Sequence, residues 1–139
     1  MSLERGQISK LIPHAGSMVL LDRVVDWNSE SIICLTESHL RPDNPLRRNE
    51  MLPAVAGIEL AGQAMAIHTS LTSNDPKRMG VLGGLRDVRL NCGRLDTLPA
   101  PLVVNAKFLS GGSAGRMYSF SVGAGEAVFL EGRASVFFL

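Results

Sequence analysis

Glu59 and Gln63 stand in the run from Pro53 to Ser70, where Ala54, Val55, Ala56, Gly57, Ile58, Leu60, Ala61, Ala64, Met65, Ala66 and Ile67 are otherwise apolar or small. An unpaired carboxylate in such surroundings is costly, so the group tends to keep its proton, which is the property of a general acid. Gln63 follows four residues later and therefore on the same helix face, close enough for its amide to hydrogen-bond and orient the carboxyl. The same spacing also fits two buried polar groups that satisfy each other or a loop backbone without doing chemistry. Three histidines, His14, His39 and His68, complete the groups that titrate near neutrality. His68 lies about two and a half turns beyond Glu59, nearly opposite around the helix, and reads as a satisfied polar group at its end. His14, near the end of a short helical turn, has the position of a structural hydrogen-bonder or cap.

The element that must position Glu59 is the one long helical candidate, Pro53 to Ser70, opened by a proline that loses nothing in a first turn and closed by Asn74-Asp75-Pro76. Apolar residues on every side predict a helix surrounded by protein, and its small residues allow close packing. Upstream, Ile8 to Ile12 reads as one short helical turn ended by Pro13. Met18 to Leu21, Val24 to Trp27 and Ile32 to Thr36 read as extended, with a turn at Asn28-Ser29. The loop from Ser38 to Met51 holds Pro42, Asp43, Asn44 and Pro45, which forbid a regular ladder. Downstream, Val81 to Cys92, Leu102 to Leu109, Met117 to Val122 and Ala127 to Leu139 read as strands between Gly- or Pro-containing turns. Alternation is clearest for Val128, Leu130, Ala134, Val136 and Phe138, the mark of a sheet with one covered face. One central helix and about five or six strands predict an α+β fold, a curved antiparallel sheet wrapped around a buried helix.

With 139 residues, 45% hydrophobic and 19% charged, the chain has material for one core, hence a single domain over 1–139. A net charge of +1 directs nothing toward nucleic acid or a membrane surface, and the longest apolar stretch is interrupted by Glu59 and Gln63. Cys34 and Cys92 match no metal-ligand spacing, so no metal is expected and both read as reduced core thiols, which suits a cytoplasmic protein.

Pro53-Ala-Val-Ala-Gly-Ile-Glu59-Leu-Ala-Gly-Gln63 resembles the Met-Pro-Gly helix of the hotdog-fold 3-hydroxyacyl-ACP (acyl carrier protein) dehydratases, with Pro, acid and Gln in register and no gap. Ile12-Pro13-His14-Ala15-Gly16-Ser17-Met18-Val19-Leu20-Leu21-Asp22-Arg23 is similar to that family's Pro-His-Arg-x-Pro segment, which also ends in Asp-Arg. Gly83 to Leu90 resembles the family's strand after the helix. Each motif is weak by itself, and their shared order from about Leu11 to the C-terminus is what makes the likeness specific. The segment at His14, the Ser38-His39 step and Leu52-Pro53-Ala54 look closest to the hotdog dehydratases of bacterial aryl-polyene clusters.

The resemblance implies elimination of water from a 3-hydroxyacyl thioester. A histidine takes the α-proton, Glu59 protonates the departing hydroxyl, and N–H groups at the helix start, Ala54 and Val55, hold the thioester oxygen. Gln63 would flank the substrate. No cofactor is implied beyond the phosphopantetheine arm that carries the acyl group on ACP. The family's catalytic pair comes from two subunits, so a homodimer or higher oligomer is implied. This chain lacks the family's His-Phe-Pro-Gly segment, with Pro45 at the histidine's position, which makes His39 the nearest candidate base and leaves His14 at the mouth of the site. A retained acid without its usual partner motif also fits a heterodimer with a second hotdog dehydratase that supplies the histidine. Two other readings stay open on the same fold: a thioesterase in which Glu59 activates water, and a weakly active or non-catalytic partner subunit. Arg41, Arg47 and Arg48 before the helix, and Lys77 with Arg78 after it, are either a landing place for an acidic carrier or ordinary solvated loops. Chain-length selectivity would depend on how Met65, Leu82, Leu85 and Phe108 pack across the dimer.

Overall fold

In the computed structural model, which describes residues 2–73 and 80–138, the β-branched runs become strands of a single antiparallel sheet. In chain order the elements are β1 (Leu3–Glu4), α1 (Arg5–Ile8), β2 (Arg23–Trp27), β3 (Ser31–Thr36), α2 (Ala56–Thr72), β4 (Gly80–Leu90), β5 (Leu102–Gly111), β6 (Gly115–Ala124) and β7 (Ala127–Phe138). Their spatial order is β1-β2-β3-β5-β6-β7-β4, and α2 packs against β3, β5 and β6. This is the α+β hotdog arrangement, with seven strands rather than five or six. The extra one, β1, is two residues long and too short to show a period of two.

Three local readings shift. The first helical turn is Arg5–Ile8 rather than Ile8 to Ile12, because the Gln7 side chain accepts from the Glu4 N–H and starts the turn earlier. Met18 to Leu21 is not a strand: Gly16–Met18 is a 3-10 turn, and the backbone that follows is held by side chains instead of a ladder. Gln63 bonds Met18 O and Leu20 N, and the Thr36 hydroxyl donates to Leu20 O. Finally, α2 begins at Ala56. Pro53 instead bridges Arg94, and Leu52 and Ala54 are tied to the segment 93–96 through Leu95 N to Leu52 O and Ala54 N to Gly93 O. The expected stop at Asn74-Asp75-Pro76 lies outside the described residues.

The helix buries Leu60, Ala61, Ala64, Met65 and Ile67 in the core. At Gly57 it comes so close to β7 that an added Cβ would stand 2.2 Å from Leu130 Cδ2, and the buried Leu130 side chain would have to shift to admit one. Protein does not enclose it on every side, however. Val55 is 55% exposed, and Ile58, Glu59, Gly62, Ala66 and Ser70 are half-buried, forming a stripe that the single sheet of this subunit does not cover. In β7, Leu130, Ala134 and Val136 point inward as read from the sequence, whereas Val128 is exposed past the irregularity between Val122 and Gly123 in the β6–β7 ladder. At the other end of the sheet order β4 is an edge strand of 11 residues, exposed along nearly its whole length, with Val81, Leu82, Leu85 and Leu90 in the open.

His68 is buried and structural in its contacts. Its Nε2 donates to Asn28 O at 2.8 Å, which leaves Nδ1 to accept from the Tyr118 hydroxyl at 2.8 Å. Tyr118, with its only proton so used, accepts from Arg116 and from the Thr69 hydroxyl. Burial, reinforced by Arg116, holds His68 below the ordinary histidine value, in keeping with this neutral tautomer. Cys34 and Cys92 are free thiols, and burial pushes Cys34 up to about 12. Among the described residues no helix is long and apolar enough to cross a membrane, and no group of three or more His, Cys, Asp or Glu side chains is placed to hold a metal ion.

Candidate active site

Glu59 projects from the first turn of α2, and what reaches it is fixed by the chain segment after α1. Ile8 and Ile12 anchor that segment in the core, and Arg5 Nη2 donates to Gly16 O and Val19 O, folding residues 12–19 back over the helix. His14 is thereby set with Nε2 at 3.0 Å from Glu59 Oε1, the two side chains being 25% and 36% exposed. From within the helix Gln63, with no exposed surface, donates to Met18 O at 2.7 Å, accepts from Leu20 N at 2.9 Å and reaches the same Glu59 oxygen at 3.4 Å. Both contacts fall on Oε1, so Oε2 is the oxygen left for a ligand. His14 Nδ1 is buried with no hydrogen-bond partner among the described residues.

The pair lies in the wall of a cleft of about 480 Å³. Lys10 to His14 form one side, Glu59, Gly62, Ala66, Thr69 and Ser70 of α2 the other, and Gly80, Leu82 and Val136 border it. A larger hollow of about 590 Å³ crosses the outer face of the sheet among Ser119, Ser121, Glu131 and Arg133. It contains no histidine and no acid–histidine pair, so the arrangement able to move protons belongs to the smaller cleft.

Of the expected residues, the structure brings together His14, Glu59 and Gln63 and leaves His39 apart. The His39 ring is fully buried in the 3-10 turn Ser38–Leu40, its Nε2 donates to Pro99 O at 3.1 Å, and it does not line the cleft. Burial lowers its basicity, partly offset by the Pro99 carbonyl. The turn that carries His39 is held by Asn44 Nδ2 to Ser38 O, Arg47 to His39 O and His39 Nε2 to Pro99 O, and none of these contacts leads to Glu59. Of the two expected helix-start donors, Ala54 gives its N–H to Gly93 O, which follows from α2 starting three residues after Pro53; Val55 makes no such bond.

Those of the expected docking cations that are described bond to groups of this same chain. Arg41 pairs with Asp22, Arg47 bonds the carbonyls of Arg41, Glu50 and His39, and Arg48 bonds that of Arg47. Lys77 and Arg78 lie outside the described residues. Of the residues expected to govern chain length, Leu82 borders the cleft, while Met65 is sunk in the core, Phe108 packs edge-on to Tyr118 and Leu85 is exposed on β4. Sequence reasoning missed Lys10, Gly62, Ala66 and Thr69 as cleft residues. Gly62, Ala66 and Thr69 follow Glu59 at helical spacing, which is the signal that identifies them.

A model of the ApeP-like family, the ApeP dehydratases, matches residues 6–138. The chain belongs to the ApeP-like dehydratase family. Among solved structures it is similar to the dehydratase heterocomplex ApeI:P from Xenorhabdus doucetiae, at 21% identity and a TM-score of 0.81, over 95% of this chain and 90% of that one. A thioesterase from Haemophilus influenzae aligns at 10% identity and a TM-score of 0.68, over 99% and 91% of the two chains. A Staphylococcus aureus thioesterase variant aligns at 11% and 0.62, over 83% and 90%. No curated protein matches by sequence. At these identities the structural likenesses show the hotdog fold, and it is the family model that makes this chain an ApeP-like dehydratase.

Proposed function

We propose that this chain dehydrates 3-hydroxyacyl thioesters carried on the phosphopantetheine arm of an acyl carrier protein, giving 2-enoyl thioesters, as in aryl-polyene or fatty-acid type synthesis. The reading rests on one observation: an imidazole and a carboxyl in hydrogen-bond contact, His14 Nε2 to Glu59 Oε1 at 3.0 Å, in the wall of a largely apolar cleft. Elimination needs a base at C2 and an acid at the C3 hydroxyl, at neighbouring carbons. Substrate displaces the His14–Glu59 contact: the freed Nε2 of His14 takes the C2 proton, the C2–C3 double bond forms as the C3–O bond breaks, and Glu59 protonates the departing oxygen, which leaves as water. In this reading the N–H of Val55, the residue just before α2, supplies the donor for charge that develops on the thioester oxygen. Because His14 and Glu59 belong to one chain, this version needs no histidine from a second subunit.

A partner subunit has a separate support. Among the described residues β4 has no neighbouring strand on its outer side, and it exposes Val81, Leu82 and Leu85, with Leu82 at the cleft, a surface that soluble proteins ordinarily cover. We assign it to a second hotdog dehydratase chain, in the manner of the ApeI:P heterocomplex. Assays of the purified assembly with 3-hydroxyacyl and with plain acyl thioesters test the reading. Turnover of the first with enoyl product, lost in Glu59→Gln, is expected. Hydrolysis of both instead makes Glu59 the base of a thioesterase, and activity indifferent to Glu59 makes the chain a non-catalytic subunit.

A further inference from the structure

Two glycines of α2 have opposite surroundings. A Cβ at Gly57 would collide with Leu130, whereas one at Gly62 would meet nothing within 4 Å. Close packing explains the first and not the second, although glycine is a poor residue for the interior of a helix. Gly62 lies about one turn past Glu59 and Ala66 about two, so this wall of the cleft has no side chain longer than a methyl group until Thr69. Leu11, Ile12, Leu82 and Val136 supply apolar surface around the same space. The cleft thus offers a trough that starts at the proton-transfer pair and follows α2, with small residues of the helix on one side and mostly apolar residues around it.

We propose that this trough receives the acyl chain beyond C3, and that Gly62 and Ala66 set the length accepted. The inference rests on the reading above that an acyl thioester reacts at His14 and Glu59. At 1.5 Å per residue Gly62 lies about 4.5 Å and Ala66 about 10.5 Å along the axis from Glu59. An extended alkyl chain advances about 1.25 Å per bond, so these positions meet the chain at about its seventh and eleventh carbons. Thr69 and Ser70 follow at the far end, where Thr69 is tied into the Tyr118 and His68 network and presents a fixed wall. The substrate class is therefore an acyl thioester whose chain is unbranched where it passes Gly62 and Ala66.

The test uses Gly62→Leu and Ala66→Leu in the full chain, in the assembly that it forms when purified. Affinity for a ladder of saturated acyl-pantetheine thioesters is measured beside dehydration of the matching 3-hydroxyacyl-pantetheine thioesters. In the unsubstituted protein each further methylene strengthens binding by about fourfold. Gly62→Leu ends that gain near the seventh carbon and Ala66→Leu near the eleventh, a separation of about four carbons set by the helix rise. For Gly62→Leu the ratio of long-chain to short-chain affinity falls by about a hundredfold or more. A common break point, a uniform loss along the ladder, or a lost partner with chain-length dependence intact overturns the proposal. The saturated ladder is read whether or not elimination occurs. Breaks without dehydration by the unsubstituted protein retain the ruler and remove the dehydratase reading, and dehydration without breaks does the reverse.

Discussion

Replacing Gln63 by leucine keeps roughly the side chain's bulk and removes its hydrogen bonds. Gln63 has no exposed surface and holds Met18 O at 2.7 Å and Leu20 N at 2.9 Å. Leu20 is 1% exposed, so its stranded N–H has no ready access to water, while half-buried Met18 recovers some hydration. At about 1–3 kcal/mol for each buried group left unpaired, the loss is about 2–4 kcal/mol. A chain of this size changes Tm by roughly 3–5 °C per kcal/mol, which gives a fall of roughly 6–20 °C. Thermal unfolding followed by circular dichroism measures it. Gln63→Glu adds a diagnostic sign, since its carboxylate still accepts from Leu20 N but faces Met18 O and Glu59 with nothing to donate. Burial and the neighbouring carboxyl raise its pKa in the folded state, so the deficit is fullest at neutral pH and shrinks, relative to wild type, as acid protonates it. A Gln63→Leu protein melting within roughly 2 °C of wild type would show that no such clamp holds the segment behind His14, and the positioning argument would fail.

His14→Gln and Glu59→Gln are each expected to lower kcat by about 10²–10⁴-fold, with the double variant little worse than either, as for groups that act as a unit; additive losses in steady-state assays count against a shared step. Gly57→Ala should lower Tm, because overpacking against Leu130 at about 1–3 kcal/mol outweighs better helix propensity, while Gly62→Ala should raise it by about 0.4–1 kcal/mol of stability; equal shifts would refute the packing contrast. Burial holds His39 and His68 below the ordinary value of 6.5, so the unfolded chain binds protons that the folded one refuses as pH drops through that value. Tm should therefore fall on acidification below about pH 6.5, and His68→Gln should flatten the slope; an unaltered slope would show that His68 does not contribute. Leu85→Lys on the β4 edge should weaken the proposed partner contact by at least about tenfold in sedimentation or co-purification, and an unaffected complex would place the partner elsewhere.

Residue order alone made the helix around Glu59, the Gln63 partner on its face and the alternating strands legible, because each depends on spacing within one element. The inward set Leu130, Ala134 and Val136 follows from the same local periodicity, and His68 is the satisfied polar group that its place on the helix suggested. Three matters of the site were decided only in three dimensions. Which histidine meets Glu59 depends on a contact across 45 residues, made because Arg5 and Gln63 fold the segment after α1 onto the helix, and residue types at His14 and His39 say nothing about that path. Ala54 gives its N–H to Gly93, a partner far along the chain, and α2 starts only at Ala56. The open stripe from Val55 to Ser70 is invisible in a helix apolar all round, since composition records what each residue is while exposure depends on where the one sheet ends. Local periodicity is set by backbone geometry within a few residues, but a site is closed by long-range packing, and only the folded chain contains that information.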